Sequence, residues 1–162
     1  MRYAGLIKND FSAAPGVSVS FFTQGCPHHC PGCQNPETWD FDGGKEFTAN
    51  ILDEIVEALN ANGIHRSLCI LGGEPLCPEN EFLTNLVIKH TKEKVPNVSI
   101  YVWTGYTYEQ IRKSSSPHMK TILNNIDYII DGPYIEMERD VTLPMRGSRN
   151  QRVIPIDKNE NL

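Results

Sequence analysis

The chain has 162 residues, of which 40% are hydrophobic and 22% charged, and 15 basic against 20 acidic side chains leave a net charge of -5. That length and composition suit one domain, spanning 1–162, that buries a real core. The acidic balance argues against non-specific nucleic-acid binding, and no stretch nears the ~18 consecutive apolar residues of a membrane span.

The first residues lack an apolar run followed by a cleavage site, so no signal peptide is expected and the chain reads as cytoplasmic, where thiols stay reduced. Tyr3 to Ile7 is a first strand candidate, and Ala13-Ala14-Pro15-Gly16 a turn. Val17 to Thr23, β-branched and aromatic, is a second strand. A loop with three cysteines follows it, and Asp42-Gly43-Gly44 is a break. Thr48 caps a helix running to about Asn62, with Ile51, Leu52, Ile55, Val56 and Leu59 on one face and Gly63 at its end. Leu68 to Leu71 is a buried strand ending in Gly72-Gly73-Glu74-Pro75. Glu79 to about Lys94 is an amphipathic helix whose inner face carries Phe82, Leu83, Leu86, Val87 and His90.

Val98 to Trp103 is a strand ending at Thr104-Gly105. Tyr108 to Lys113 and Met119 to Asn125 read as helical, broken by Ser114-Ser115-Ser116-Pro117. Asp127 to Ile130 is a strand stopped by Asp131-Gly132-Pro133. Tyr134 to Asn150 shows loop signals and no period, and Gln151 to Ile156 is a last strand candidate. Alternating β and α segments predict an α/β fold with a mostly parallel sheet and helices on its outer face. The units are too few for a complete eightfold barrel of ~250 residues, so an incomplete (β/α) barrel or curved sheet is expected. Ligands in such sheets sit at the carboxyl ends of the strands, where the cysteine loop, Gly72–Pro75, Thr104-Gly105 and Asp131–Pro133 would gather.

The cysteines are Cys26, Cys30 and Cys33, spaced C-x3-C-x2-C. Three thiols so close cannot pair off as disulfides, and five cysteines in all fit metal ligation better than a disulfide frame. They can hold three corners of an iron–sulfur cluster, leaving one iron open. A zinc ion completed by His28 or His29 is the competing reading, although these histidines suit solvated loop positions better. Gly72-Gly73-Glu74-Pro75 is by itself a strand-ending turn. Beside the cysteines it becomes a ligand turn, in which two glycines admit a ligand to the backbone and Glu74 offers a carboxylate to an ammonium. Cys69 and Cys77 read as small apolar fillers. Arg139, Arg146, Arg149 and Arg152 are either solvated surface or groups that meet an acidic partner or a ligand carboxylate.

C-x3-C-x2-C after one strand and G-G-E-P after a later one resemble the radical S-adenosylmethionine superfamily. Asn35-Pro36-Glu37-Thr38-Trp39, Trp103-Thr104-Gly105-Tyr106, Asp131-Gly132-Pro133-Tyr134 and the run from Arg146 to Arg152 narrow it. They are similar to segments of the anaerobic ribonucleoside-triphosphate reductase-activating proteins, in the same order from residue 17 to residue 154. The resemblance implies a 4Fe–4S cluster on Cys26, Cys30 and Cys33 and S-adenosylmethionine as the second cofactor. Gly32, Cys33, Gln34, Gly72, Gly73 and Glu74 would bind it.

An external one-electron donor would reduce the cluster, and S-adenosylmethionine would be cleaved to methionine and a 5′-deoxyadenosyl radical. That radical would take a hydrogen atom from one glycine of the reductase. No general base and no nucleic-acid or membrane partner are expected. Gly32 stands where the superfamily commonly has an aromatic residue, which leaves Gln34, Trp39 or Tyr106 to cover the adenine. An activase of another glycyl radical enzyme is the near alternative; a non-enzymatic zinc or electron-transfer module is the distant one.

Overall fold

The computed structural model describes residues 1–158. Its strands are β1 (Arg2–Asp10), β2 (Val17–Thr23), β3 (Lys45–Glu46), β4 (Arg66–Gly72), β5 (Ile100–Trp103), β6 (Tyr128–Asp131) and β7 (Arg152–Pro155). The helices are α1 (Ala49–Asn60), α2 (Glu81–Lys94), α3 (Tyr108–Arg112) and α4 (Pro117–Asn125). All strands join one sheet in the order β3-β1-β2-β4-β5-β6-β7. The central four, β2, β4, β5 and β6, run parallel, while β1, β3 and β7 are antiparallel to their neighbours. The two ends of the sheet are β3 and β7, so it does not close into a barrel. Parallel strands laid down side by side in chain order, each joined by a right-handed crossover, must place their helices on one face.

The burial pattern has that form. Val19, Phe21, Leu68, Ile70, Ile100, Val102 and Ile129 point into the main core. There they meet Ile51, Ile55 and Leu59 of α1, Leu83, Val87 and Ile88 of α2, and Met119, Ile122 and Leu123 of α4. Their alternates Cys69, Leu71, Tyr101, Trp103, Tyr128 and Ile130 form a second cluster on the opposite face, the two periods of a sheet covered unequally. Tyr101 stacks on Tyr128 at 4.8 Å between ring centroids there.

Three details differ from the sequence reading. The expected strand at 3–7 extends over Arg2–Asp10, and the short β3 beside it has no sequence signature. Thr48 sits at the N-cap of α1 with extended backbone but its side chain makes no cap bond. In α2 the inner face is Leu83, Thr84, Val87, Ile88 and Thr91; Phe82 is 52% exposed and lies edge-on to His118. Two threonines on the buried stripe, Thr84 donating to the carbonyl of Pro75 at 2.7 Å, weaken the hydropathy contrast and rotate its apparent direction. As expected, 134–150 is largely loop, with a 3-10 turn, Glu136–Glu138, and an isolated bridge between Arg139 and Ser148.

Candidate metal and cofactor site

The parallel register sets Thr23 against Gly72, so the cysteine loop leaves β2 beside the glycine turn that ends β4. Gly73 N–H donates to the Thr23 carbonyl (3.0 Å) and Glu74 N–H to the Gly25 carbonyl (2.9 Å). The backbones are in direct contact: a Cβ on Gly73 would lie 2.4 Å from the Gly25 carbonyl oxygen, and one on Gly72 2.7 Å from Thr23. Gly72 has φ +103°, which also favours glycine. The two glycines therefore admit the base of the cysteine loop, a use the sequence reading assigned to a ligand. Asn80 ties the same joint, its buried side-chain amide donating to the carbonyls of both Gly25 and Glu74 at 3.1 and 3.0 Å. Nothing in the sequence singles Asn80 out, because an Asn before a helix reads as a cap.

Glu74 is fully buried. One carboxylate oxygen accepts from Leu76 N–H and the Thr104 hydroxyl, each at 2.8 Å, and the other from Gly105 N–H and His28 Nε2, each at 2.7 Å. A buried carboxylate demands such partners. Its oxygens are thereby committed inside the protein rather than held out to an ammonium. His28 in turn is not the solvated loop residue expected: its side chain is 18% exposed, with the ring of Tyr106 edge-on at 4.6 Å. Burial, then the charge of Glu74, pushes the Tyr106 hydroxyl up to about 12.

Cys26, Cys30 and Cys33 all face one cavity of about 500 Å3 at the carboxyl ends of β2, β4 and β5. Its walls include Gln34, Trp39, Gly72, Gly73, Glu74, Trp103, Tyr134 and Arg146. All five cysteines are free thiols. Cys26 is the most enclosed of the three; burial pushes its thiol up and the N–H groups of His28 and His29 pull it part of the way back. Asn35 N–H donates to Cys33 Sγ at 3.4 Å. Among the described residues, no three His, Cys, Asp or Glu side chains surround a position for a single metal ion. Cys69 and Cys77 are buried off the cavity, and burial raises both thiols, Cys69 to about 11.

The donor set fits an iron–sulfur cluster: soft thiols on one short loop, partly enclosed, with a backbone N–H directed at the Cys33 sulfur. Gly32 has φ +79°, a conformation that favours glycine, and a Cβ there would meet the Glu136 carboxylate at 2.0 Å, so a side chain at that position would strain the backbone and displace the exposed Glu136. Of the three side chains considered for covering the adenine, Gln34 and Trp39 line the cavity, whereas Tyr106 packs against the core. Trp39 stacks on His29 at 4.7 Å. Tyr134, whose hydroxyl donates to Glu136 at 2.7 Å, is a cavity aromatic that the sequence left as loop. Arg152, one of the four late arginines, is neither simple solvated surface nor open to a ligand, since it is bound to Asp131 and Glu109.

The family model for a 4Fe-4S single cluster domain matches residues 13–154. Curated relatives named anaerobic ribonucleoside-triphosphate reductase-activating protein align almost end to end. The one from Salmonella typhi is 34% identical, covering 94% of this chain and 97% of its own. That from Escherichia coli K12 is 32% identical with the same coverage. The one from Enterobacteria phage T4 is 38% identical over 94% of this chain and 93% of its own. Cysteine loop and glycine turn both fall within the span that the family model matches, and the chain belongs to the family of anaerobic ribonucleoside-triphosphate reductase-activating proteins.

Proposed function

We propose that this protein activates an anaerobic ribonucleoside-triphosphate reductase by generating a glycyl radical on it. The observation that carries the reading is the meeting of three free thiols and the glycine turn in one cavity at the strand ends. In this reading Cys26, Cys30 and Cys33 hold a 4Fe–4S cluster, which when reduced by an external one-electron donor supplies the electron that cleaves S-adenosylmethionine reductively. The protein's own contribution is to bind, orient and shield.

Gly32, Cys33 and Gln34 would meet S-adenosylmethionine from the cluster side, and Gly72, Gly73 and Glu74 from the floor. Because the Glu74 carboxylate is already saturated, the backbone carbonyls of Gly72 and Gly73 are left to take the ligand ammonium. Arg146 is the cationic wall opposite. Its Nε is buried and, among the described residues, has no hydrogen-bond partner, which suits a ligand carboxylate. No described helix is long and apolar enough to cross a membrane. The free thiols suit a reducing cytoplasm.

The test is anaerobic reconstitution with iron and sulfide, then S-adenosylmethionine cleavage under dithionite and paramagnetic resonance of the reductase. Bound iron should be lost in Cys26→Ala, Cys30→Ala and Cys33→Ala and kept in Cys69→Ala and Cys77→Ala. A glycyl radical on the reductase completes the case. Radical formation only on a different glycyl radical enzyme would favour the near alternative, and zinc in place of iron would refute the reading.

A further inference from the structure

His28 lies between two of the three cysteines, with its side chain turned into the protein and 18% exposed. Its imidazole enters a slot prepared by three elements. Glu74, at the end of β4, takes Nε2 at 2.7 Å. Gly105, at the end of β5, has no side chain where the ring lies: a Cβ there would be 2.5 Å from Cδ2. Tyr106 closes the slot with its ring edge-on at 4.6 Å. Glu74 receives three other donors, all from the floor of the site, so His28 is the one group through which the cysteine loop grips that carboxylate.

We propose that His28 is a positioning residue: its side-chain bond to Glu74 pins the Cys26–Cys30 arm of the loop against the ends of β4 and β5 and so holds the Cys26 thiol in its enclosed place. The inference rests on the cluster reading for its consequence, though not for the pin itself. Hydrogen bonds to the sulfurs set the potential of an iron–sulfur centre. Solvent exposure sets it too, so slackening the arm around Cys26 shifts the potential. The buried carboxylate thus serves as an anchor for the loop, and the imidazole as the strut between anchor and thiolate. His29 has no equivalent grip; it has φ +47° and stacks on Trp39.

Two variants separate strut from filler. His28→Leu keeps bulk and loses the donor; His28→Gln keeps a donor that reaches Glu74. In the apo form of the 162-residue chain, iodoacetamide labelling of Cys26, read by mass spectrometry against Cys30 and Cys33, should quicken about tenfold in H28L, the scale of one lost charge-assisted bond. H28Q should stay near the parent rate. In the reconstituted protein, H28L should show a shifted midpoint potential or a loss of iron, and H28Q should recover either. If H28L does not fold by circular dichroism, His28→Asn, whose amide stops short of Glu74, carries the same expectations. Parent-like labelling and potential in H28L, or equal changes in H28L and H28Q, would overturn the proposal. Failure of the parent to take up iron would refute the cluster reading, while the labelling arm would still decide the pin.

Discussion

At Gly73 the missing side chain is what lets two strand ends touch. A methyl group would press on the Gly25 carbonyl, and that carbonyl is one residue from Cys26. Gly73→Ala should therefore cost about 2 kcal/mol of stability, as overpacking against rigid backbone does, visible as a lower urea midpoint. It should also lower bound iron; full stability with normal iron would show that the joint gives. Asp10 makes a second residue-level case. Burial alone would raise its carboxyl. The bonds from Ser20 (2.7 Å) and from the Ser12 N–H and hydroxyl (2.9 and 2.8 Å) outweigh burial and leave it below the ordinary 3.8.

A depressed folded value means that the unfolded chain takes the proton more readily. The stability contributed is complete above the ordinary value and is lost as pH falls through the lowered one. Asp10→Asn should flatten the acid limb of melting temperature against pH, measured between about pH 6 and about pH 3. At this scale the cysteines were legible from spacing alone. The partners of Glu74 were not, because Leu76 is local but Thr104, Gly105 and His28 arrive from other strand ends, and only the tertiary fold brings them there.

Among the elements, β7 depends on one arginine. Arg152 Nη2 lies 2.6 Å from Asp131 and 2.7 Å from Glu109, and its Nε donates to Asp131 at 3.1 Å. Asp131 is buried and also accepts from Tyr108 N–H at 2.7 Å. These bonds join β6, β7 and the start of α3. Both carboxylates hold the guanidinium firmly in its charged form. Arg152→Ala strips a buried carboxylate of its counter-charge and should cost about 2–3 kcal/mol, below the usual value for a buried pair because the arginine is half exposed. Arg152→Lys should recover part of it, and urea unfolding of the three proteins checks both. Elements with a clean period, α1 and the four parallel strands, were readable from sequence. The two-residue β3 is made by its partner β1 and has no pattern of its own. The inner face of α2 was misjudged because hydropathy ranks Phe82 above the threonines that are buried.

For the molecule as a whole, the region from Gly132 to Gln151 forms the outer wall of the cavity. Gln151 fastens it, accepting from Gly147 and Ser148 N–H at 3.0 and 3.1 Å and donating to the Gly132 carbonyl at 3.0 Å. Met145 has φ +61°, and its carbonyl accepts from Trp103 Nε1 at 2.7 Å. Its outward side carries exposed Met137, Val141 and Arg149, while Arg146 lines the cavity. The two arginines should therefore part company. Arg149→Glu should reduce glycyl radical formation on the reductase and spare uncoupled cleavage of S-adenosylmethionine, since rim charges act on association. Arg146→Glu should reduce both, about tenfold or more, if it meets the ligand carboxylate. Equal effects of the two would place them in one role.

The order of strands across the sheet follows the chain from β2 through β4 and β5 to β6. Each new strand has its neighbour already made, so the sheet can zip together from the amino end as the chain is synthesised. The thiols at 26–33 and their floor on β2, β4 and β5 are complete before the wall at 132–151 exists. Metal assembly would then meet a site still open on one side, and the wall would be the last part to set. Pulse-labelled hydrogen exchange during refolding should show β2, β4 and β5 protected before β7. The opposite order would mean that the wall templates the floor.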